Sequence, residues 1–515
     1  DNLSDHDPVL LKLSVDAPQF TERAPDACVS KPLWSKTSDD QRAYYQYLLD
    51  VELLNIDMSS RLFNCNDFCC TDQSCMEQIE RYHEMIVNAC IQASVCIPWS
   101  TPGRRQRPVV GWNEFVRVHK EQAISTHIVW KAAGSPLQGP LFERRKETRK
   151  AYHAALNYVK RHEDRIRAEK MAANLTGSGF WSEVKSIIGN QKATINTVDN
   201  VSGEDNVAEV FYEKYHRLYN SVPFDEQEMG AIRNAVGERI SELTSGEVPE
   251  KITQNDVVKA LGRIRRKKGD GHTECMSDHF LNGTYLLCQH ISVLFNAMIL
   301  HGYAPESMLL CTLIPIPKNK RKSLNDSKNY RAVALSSVLG KVLDHVILLK
   351  HGASLSTSNL QFGFKKAHST VQCTYVANEV IQYYLNHKSV VHAVLLDASQ
   401  AFDRVHFVKL FELLLKRNLS PFICRLLLEM YEKQRMRVRW GSSVTPSTGV
   451  SNGVKQGGVL SPILFTIYID ELLMRLQRLR VGCYVGTLFC GALGYADDLA
   501  LLAPSVLAMK CLLEC

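Results

Sequence analysis

Apolar residues follow two kinds of spacing along this chain of 515 residues. From about residue 31 to 245 the spacing favours helices, with breaks at Pro98–Gly103, Gly134–Pro140 and Gly177–Gly179. From about residue 250 onward, helical patterns alternate with short apolar runs that are typical of strands. The pattern predicts an α+β domain in the C-terminal half, preceded by a mainly helical region.

Two amphipathic helices open the C-terminal half. Thr253, with Asp256 three positions later, is a capping-box helix start. We expect this helix to end in the basic run Arg265–Lys268, which suits the negative end of a helix dipole, and to stop at Gly269-Asp-Gly271. The second helix carries its apolar residues on one face: Leu287, Ile291, Leu294, Phe295 and Met298.

Short apolar runs predict the strands. The segment Thr-Leu-Ile314-Pro-Ile-Pro-Lys318 is extended, and its prolines predict an edge strand because proline has no N–H to donate. The run of residues 390–396 predicts a buried strand that ends at Asp397. Ala492–Tyr495 and Leu499–Leu502 flank Asp497 and Asp498, which predicts a β-hairpin with an acidic tip.

Two further helices are expected among these strands. One runs from about Val405 to Arg417. The other opens at Ser461-Pro462, with serine as N-cap and proline at N1.

The placement of three carboxylates is the most informative chemical feature. Asp397, Asp497 and Asp498 lie at the ends of apolar runs, where acidic groups are rare unless they are paired or bind a cation. If the two strands are neighbours, the carboxylates supply hard oxygen ligands that suit Mg²⁺. The alternative is a helix N-cap at Asp397 and a solvated turn at the pair.

Other residues could complete a phosphoryl-transfer site. Gly457 and Gly458 permit close approach of a backbone to a flat ligand, and Gln456 offers both a donor and an acceptor. Lys318 and Arg331 are cations that could meet a triphosphate. Each of these also fits an ordinary surface or loop position.

Charge adds one feature to this picture. Residues 101–170 carry 16 Lys and Arg against 7 Asp and Glu, whereas the whole chain has a net charge of +7. The basic excess therefore lies in this one segment. Two interpretations stay open: a nucleic-acid contact, or a solvated helix surface on which acidic residues alternate with the basic ones.

The 16 cysteines do not form a disulfide framework. Cys65, Cys69, Cys70 and Cys75 lack the paired spacing of zinc sites. Cys288, Cys311 and Cys424 lie in apolar stretches and are predicted to be small buried hydrophobes. Reduced thiols favour an intracellular protein of the cytoplasm and nucleus. Residues 481–496 are uncharged but contain four glycines, so no membrane contact is predicted.

Six motifs in order resemble the reverse transcriptase of non-LTR (LINE-type) retrotransposons, in their jockey-like branch. They lie within residues 314–498: Ile-Pro-Ile-Pro-Lys318, Asn329-Tyr-Arg331-Ala-Val-Ala-Leu-Ser, Gln361-Phe-Gly-Phe-Lys-Lys-Ala-His368-Ser-Thr370, Asp397 to Ala401-Phe402-Asp403-Arg-Val405, Gly453 to Pro462, and Tyr495-Ala-Asp-Asp498. The resemblance implies a right-hand polymerase with fingers and palm in residues 246–515 and a helical linker region in residues 15–245.

The resemblance also implies roles for single residues. Asp397 and Asp497, with Asp498 beside them, correspond to the aspartates that hold two Mg²⁺ ions, with Mn²⁺ as a possible substitute. Phe402 corresponds to the aromatic residue that selects dNTP over NTP. Asp403 is expected to be structural. The loop and cation positions named above are expected to contact nucleotide and template: Lys318, Arg331, Gln456 and Gly457.

A second resemblance covers residues 1–14. Ser4-Asp5-His6-Asp-Pro8 is similar to the end of the apurinic-type endonuclease that precedes the polymerase in these elements. It implies an endonuclease remnant in which Asp5 and His6 correspond to residues that assist phosphodiester cleavage with a metal.

The chain departs mildly from the family pattern. Ala332 stands where proline is common, and Lys365 and Ala367 stand where arginine and glycine are common. Asp1 at the start and an apparent helix at Cys515 predict an excerpt of a longer polypeptide. We expect the primer grip, the thumb and any zinc knuckle to be missing, because the chain ends 17 residues after Asp498.

The predicted function is RNA-directed DNA polymerisation. The expected partners are an RNA template, a DNA primer or nicked chromosomal target, and dNTPs. Three alternatives remain at this point: an inactive relic or domesticated RNA-binding protein, a group II intron maturase or telomerase-like polymerase, and a helical interaction protein. The last accounts for residues 31–245 but gives no reason for the six motifs.

Overall fold

The computed structural model describes residues 32–57, 70, 72–99, 110–173, 197–243, 250–271, 273 and 275–515. The α-helices are α1 Asp39–Leu54, α2 Gln73–Ala93, α3 Arg117–Ala132, α4 Pro140–Arg161, α5 Glu163–Ala173, α6 Glu204–Leu218, α7 Glu226–Glu242, α8 Gln254–Leu261, α9 Ser277–Leu281, α10 Tyr285–His301, α11 Glu306–Leu309, α12 Val338–His351, α13 Thr370–Asn386, α14 Phe407–Lys416, α15 Pro421–Glu432, α16 Ser461–Arg478 and α17 Val506–Leu513.

The strands lie mostly in the C-terminal half. They are β1 Thr197–Val198, β2 Val201–Ser202, β3 Leu310–Pro317, β4 Tyr330–Leu335, β5 His392–Leu396, β6 Arg435–Trp440, β7 Ser443–Val444, β8 Thr448–Gly449, β9 Tyr484–Val485, β10 Leu488–Phe489, β11 Ala492–Tyr495 and β12 Asp498–Ala503. One sheet has the order β4-β3-β6-β7, with β8 also paired to β6, and a second has the order β11-β12-β5. Helices and strands are mixed, as the α+β prediction requires.

Alternating residues of the β11-β12-β5 sheet pack into two separate hydrophobic cores. Leu501 packs into one cluster with Leu473 of α16 and Met509 of α17. Its neighbour Leu502 packs into another with Val380 of α13. Successive side chains of a strand point to opposite faces, so this sheet is held between helices on both sides at that level.

The chain divides into two compact units, residues 1–100 with 196–515, and residues 101–195. In the first unit, helices from before residue 245 contact the C-terminal half directly. The Tyr45 hydroxyl donates to the carbonyl of His279 at 3.0 Å, and Arg233 pairs with Glu432 at 2.9 Å. The predicted boundary at 245/246 therefore does not coincide with an edge of a compact unit.

The second unit is described from residue 110 to 173. Val116, Val159 and Ile166 form its small core. On its surface the Arg145 guanidinium lies over the Trp130 ring at 3.9 Å, and Arg165 pairs with Glu169 one turn away. A role for residues 101–170 in nucleic-acid binding stays a prediction.

Several predicted elements are confirmed. The Thr253 capping box is present, with the Thr253 side chain accepting from the Asp256 N–H. The second amphipathic helix is α10, and the expected helix near 405–417 is α14. Cys288, Cys311 and Cys424 are buried thiols.

Helix α8 ends earlier than predicted, at Leu261. The basic run Arg265–Lys268 follows it in turns, and Lys267 has a positive φ of 60°. The Lys267 N–H donates to the carboxylate of Asp278, which draws the chain out of the helix. The predicted dipole interaction of the basic run is therefore wrong.

Strand β3 is a central strand at Thr312 and Leu313, where β6 pairs with it in parallel and β4 pairs with it antiparallel on its other side. The edge-strand prediction is wrong for that part. Pro315 and Pro317 lie beyond the residues paired to β6 and have β4 as their neighbour. The prolines, which have no N–H group, thus lie where β3 is paired with β4 but no longer with β6.

Strand β5 is exposed where burial was predicted. Leu395 is 81% exposed and Leu396 is 41% exposed. β5 is the last strand of the order β11-β12-β5, so one of its backbone edges has no strand beside it among the residues that the structure describes. A continuous apolar run indicates a strand but does not reveal how many faces are covered.

Ser461 is the first residue of α16, not its N-cap; the N-cap is Leu460. The shift is one residue, and it places Pro462 at N2. Proline is accepted there because the first N–H groups of a helix have no intrahelical partner.

Candidate active site

The acidic tip is a tight β-hairpin. Tyr495 pairs with Asp498 across β11 and β12, which leaves Ala496 and Asp497 as the turn. Ala496 has a positive φ of 59°. The hairpin predicted from the sequence is confirmed, with Asp498 as the first residue of its second strand.

Asp397 lies at the same end of the sheet. β5 runs antiparallel to β12, and Leu396 pairs with Leu499. The next step of this register places Asp397 opposite Asp498. Both residues line one open cavity of about 410 Å³, together with Leu395 of β5 and Thr370 and Cys373 of α13.

The pKa of Asp497 is affected by the other two carboxylates. Partial burial raises the pKa of Asp497, and the negative charges of Asp498 and Asp397 raise it further. Like charges raise a carboxyl pKa in this way when they lie close together without enough positive charge between them. The structure therefore brings all three predicted aspartates together, in an arrangement that a divalent cation would relieve.

The chemistry of this donor set fits a hard divalent cation. Asp397 and Asp498 are exposed and Asp497 is half-buried, so their oxygens are accessible to water and to a ligand. Carboxylate oxygens are the ligands that Mg²⁺ and Mn²⁺ prefer. Ion binding at these positions stays a prediction.

The buried side chain of Gln361 supports the hairpin turn through hydrogen bonds. It is fully buried, and its Oε1 accepts from the N–H groups of Ala496 at 2.9 Å and Gly363 at 2.8 Å. The Phe362 N–H donates to the carbonyl of Gly494 at 2.7 Å. The segment Gln361–Gly363 therefore positions the turn that carries Asp497.

Asp403 is a buried carboxylate at the centre of a second polar cluster. It accepts from the Tyr219 hydroxyl at 2.8 Å and from the Gln456 amide nitrogen at 2.7 and 2.8 Å. Burial raises the Asp403 pKa, while these two hydrogen bonds and the charge of Lys318 lower it. Gln456, predicted to contact the nucleotide, thus uses its amide N–H₂ group on Asp403.

Backbone contacts join the two loops that carry Phe402 and Gln456. The Val454 N–H donates to the carbonyl of Phe402, and the Gly453 N–H donates to that of Val405, each at 2.8 Å. Gly453 has φ +91°, and a Cβ there would lie 2.7 Å from the Asp403 carbonyl oxygen. Only glycine permits this close crossing.

The loop also touches β4, which carries Arg331. The Ala334 N–H donates to the carbonyl of Gln456 at 2.8 Å. A Cβ on Gly457, whose φ is +110°, would lie 3.1 Å from the Ala334 carbonyl oxygen. Gly457 is exposed beside this strand, so its predicted position next to a ligand is sterically open.

Phe402 is held by two other rings. It stacks on Phe465 of α16 with centroids 4.2 Å apart, and Phe364 meets it edge-on at 5.9 Å. The side chain is half-buried. Ring packing of this kind fixes the orientation of an aromatic side chain.

The two predicted cations lie on neighbouring strand ends. Ile316 pairs with Arg331, and two residues further the Lys318 N–H donates to the Asn329 carbonyl at 2.6 Å. Both side chains are exposed. Exposed cations on a strand pair that touches the Gln456–Gly457 loop are available to an anionic ligand.

The family of these residues follows from comparison with known proteins. A profile described as "Reverse transcriptase (RNA-dependent DNA polymerase)" matches residues 316–515. This range contains the three aspartates and the aromatic, glutamine and cationic positions described above.

Residues 316–515 are a reverse transcriptase domain.

Curated relatives include RNA-directed DNA polymerases of mobile elements. The RNA-directed DNA polymerase from mobile element jockey of Drosophila funebris is 28% identical over 261 residues, which cover 49% of this chain and 28% of that protein. The probable RNA-directed DNA polymerase from transposon X-element of Drosophila melanogaster is 29% identical over 226 residues, covering 42% and 24%. The aligned part spans about a quarter of these relatives. The predicted family is confirmed.

A solved structure, apo telomerase from Candida tropicalis truncated from its C-terminal domain, matches 80% of this chain and 88% of that one. Its sequence identity is 12% and its TM-score is 0.30.

The reverse transcriptase domain does not include the predicted endonuclease remnant. Asp5 and His6 lie outside the described residues, and the remnant stays a prediction. Among the residues that the structure describes, no helix combines the length and apolar character needed to cross a membrane.

Sequence reasoning missed two residues of this site. Gln361 belongs to a recognised motif, but its spacing gave no sign that its side chain supports the Asp497 turn. Tyr219 lies 184 positions before Asp403, at the end of α6, and only the tertiary contact reveals it.

Asp344 of α12 binds the end of the loop that carries Gln456 and Gly457. From its burial we predict an effect of pH on stability. Its carboxylate accepts from the N–H groups of Val459 and Leu460 at 3.3 Å, and burial raises its pKa to about 6. When the pKa of a carboxyl group is higher in the folded than in the unfolded protein, its contribution to the free energy of unfolding is greatest below the unfolded-state pKa. This contribution is lost as pH rises towards the folded-state pKa. The contribution of Asp344 to the stability of wild-type protein should therefore decrease between about pH 4 and pH 6.

We expect Asp344→Asn to remove this dependence while keeping an acceptor oxygen. The free energy of unfolding of the variant minus that of wild type should rise by roughly 1–3 kcal/mol from pH 4.5 to 7.5. Urea unfolding at both pH values measures it. A difference that stays constant with pH would contradict the assignment to Asp344.

Proposed function

We propose that this chain is the RNA-directed DNA polymerase part of a non-LTR retrotransposon protein, adding dNTPs to a primer 3′-hydroxyl by two-metal phosphoryl transfer. One observation carries the proposal: Asp397, Asp497 and Asp498 come together at one end of the β11-β12-β5 sheet, within a reverse transcriptase domain. The negative charge collected there raises the pKa of Asp497 and would be neutralised by divalent cations.

Asp397 and Asp497 would hold the ions, with Asp498 beside them. When bound, two Mg²⁺ ions, or Mn²⁺ in their place, would activate the primer hydroxyl and stabilise the pyrophosphate that leaves. Gln361 holds the turn that carries Asp497 through its hydrogen bond to the Ala496 N–H, so that the carboxylates are arranged before substrate binds.

The nucleotide would lie between the carboxylates and the β3–β4 strand pair. Lys318 and Arg331 are exposed there and suit a triphosphate or a template phosphate. In right-hand polymerase terms, we assign the β11-β12-β5 sheet to the palm and the β3–β4 pair to the fingers. Gly457 would allow a base or sugar to approach the loop closely.

The Tyr219–Asp403–Gln456 cluster has a positioning role in this proposal. It ties α6, the Phe402 loop and the Gln456 loop together through one buried carboxylate. Buried polar groups that are fully hydrogen-bonded fix a single arrangement. The cluster would therefore keep Phe402 and Gly457 at a constant separation around the nucleotide.

The natural partners follow from the same proposal. They are an RNA template, a DNA primer or nicked chromosomal target, and dNTPs, with the protein acting in the cytoplasm and nucleus. The relatives named above are RNA-directed DNA polymerases of mobile elements, which supports the template and product classes.

The test is extension of a labelled DNA primer on an RNA template with Mg²⁺ and dNTPs, compared with binding of the same RNA measured by filter retention. We expect divalent-dependent extension whose product follows the template sequence. RNA binding without any extension, in Mg²⁺ or in Mn²⁺, would favour the alternative of an inactive relic or a domesticated RNA-binding protein.

Phe402 provides a prediction about sugar selection. Its ring is fixed by Phe465 and Phe364, so a 2′-hydroxyl on the incoming nucleotide would meet a rigid surface. Phe402→Ala should raise ribonucleotide incorporation relative to deoxyribonucleotide by about tenfold or more, since a lost steric contact of 1–3 kcal/mol corresponds to roughly 10–200-fold.

Competition between rNTP and dNTP in single-nucleotide extension measures this ratio. Phe402→Tyr keeps the ring and is the matched control, which should retain the dNTP preference. An unchanged preference in Phe402→Ala would remove Phe402 from sugar selection.

A further inference from the structure

A cluster of two thiols and one imidazole lies in the part of the fold that precedes the reverse transcriptase domain. One ligand atom each from Cys70, Cys75 and His301 lies within 4.8 Å of the others. Cys75 and His301 are buried and Cys70 is half-buried. The sequence places Cys70 and Cys75 close together, without the paired spacing of a zinc site, but gives no hint of His301, because 226 positions separate Cys75 from His301.

The cluster lies where the N-terminus of helix α2 meets the C-terminus of helix α10. Cys75 is in the first turn of α2, and His301 is the last residue of α10. The helices are antiparallel at this contact, since Tyr82, seven residues after Cys75 in α2, bonds His290, eleven residues before His301 in α10, at 2.8 Å. A thiolate is stabilised at a helix N-terminus and a cation at a helix C-terminus, so both helix dipoles favour a metal–thiolate pair here.

The backbone around His301 is already fixed against α2. Glu80 of α2 accepts from the Tyr303 hydroxyl and from the Glu306 N–H, each at 3.0 Å. Gly302 ends α10 with φ +60°, which turns the chain towards these contacts. The imidazole is therefore presented from a rigid segment, as metal sites require.

We propose that Cys70, Cys75 and His301 form a structural zinc site that fastens α2 to α10. Thiolate and imidazole are the ligands that Zn²⁺ takes in structural sites, with Zn–S of about 2.3 Å and Zn–N of about 2.0 Å. Tetrahedral geometry at those bond lengths separates ligand atoms by roughly 3.3–3.8 Å. Because the three ligand atoms lie within 4.8 Å of one another, the cluster needs to contract by about 1 Å at most. These three ligands, the ones found among the described residues, leave the fourth tetrahedral position open.

Binding involves a defined proton balance. Each cysteine thiol gives up its proton to solvent as its sulfur binds, and His301 binds as the neutral imidazole. Zinc affinity should therefore fall as pH falls. The site is independent of the proposed polymerase function, because none of its residues lies in residues 316–515.

The test uses the full chain, purified from zinc-supplemented medium and dialysed, with metal content measured by mass spectrometry. We expect about one zinc ion per wild-type chain, and background content in Cys75→Ser and His301→Asn. Cys288→Ser is the matched control, since Cys288 is a buried thiol of the same helix α10 and should leave the zinc content unchanged. Chelation should also lower the thermal midpoint of wild type, and added zinc should restore it.

Absence of zinc from wild type, or equal zinc content in wild type and both ligand variants, would overturn the proposal. So would a disulfide between Cys70 and Cys75, identified by peptide mapping of metal-free wild type under non-reducing conditions. If the ligand variants do not fold, wild type alone decides. Co²⁺ should then give thiolate charge-transfer and tetrahedral d–d bands, and zinc should slow alkylation of Cys70 but not of exposed Cys515. An octahedral cobalt spectrum with unchanged Cys70 alkylation would refute the site.

Discussion

Alanine at Asp397 or at Asp497 should reduce templated primer extension by about a thousandfold or more. Both residues lie at the end of the β11-β12-β5 sheet where three carboxylates meet. Divalent ions held there would supply several kcal/mol of transition-state stabilisation, and each ~1.4 kcal/mol is a factor of ten in rate. Loss of one ligand should therefore remove most of the activity.

A primer-extension time course with Mg²⁺ measures the loss, and Mn²⁺ binding measured by electron paramagnetic resonance gives a second readout that does not depend on turnover. Both variants should bind fewer Mn²⁺ ions than wild type. Asp205→Ala is the control: Asp205 is an exposed acid in the first turn of α6, so extension and Mn²⁺ binding should both persist. Full extension by both site variants would refute the metal assignment.

Gly363→Ala should lower turnover by roughly a hundredfold while leaving the protein folded. A Cβ at Gly363 would lie 2.3 Å from the Ala496 nitrogen and 2.9 Å from its Cα, so the hairpin turn or the Gln361–Gly363 segment must move. The Ala496 N–H is also bonded to Gln361, so the shift strains that hydrogen bond. A displacement of about 1 Å in a catalytic group typically costs about a hundredfold in rate.

The measurement is kcat for dNTP addition, with circular dichroism and thermal unfolding as checks on the fold. Gly230→Ala is the matched control, because Gly230 lies in α7 and a Cβ there meets nothing within 4 Å. That variant should keep full activity and gain up to about 1 kcal/mol of stability, since alanine is the better helix former. Equal activity of both variants would show that the turn is not set by its contact with Gly363.

Local elements were predictable because their causes are local. The Thr253 capping box depends on residues three apart, and the 492–503 hairpin depends on two apolar runs around one polar turn. The family of the reverse transcriptase domain was recognisable for a similar reason, since its motifs are short and keep their order in the chain.

Burial and partnership were not predictable in the same way. The apolar run before Asp397 forms the expected strand, but its position at the end of the sheet leaves Leu395 exposed. Gln456 carries the motif, yet its amide bonds Asp403, which Tyr219 also contacts from a region that the sequence suggested was a separate linker. Such contacts join residues far apart in the chain, and no local pattern encodes them.

The sequence alone determined the chemistry that this protein can offer: carboxylates at strand ends, an aromatic residue and glycines in loops, and the α+β class of its C-terminal half. Tertiary structure decided which of these groups meet. It placed Asp397 opposite Asp498, set Gln361 beneath the Asp497 turn, and brought Cys70 and Cys75 to His301. The physical reason is range, because capping, periodicity and turns act over a few residues, whereas strand register and helix packing bring together residues more than a hundred positions apart.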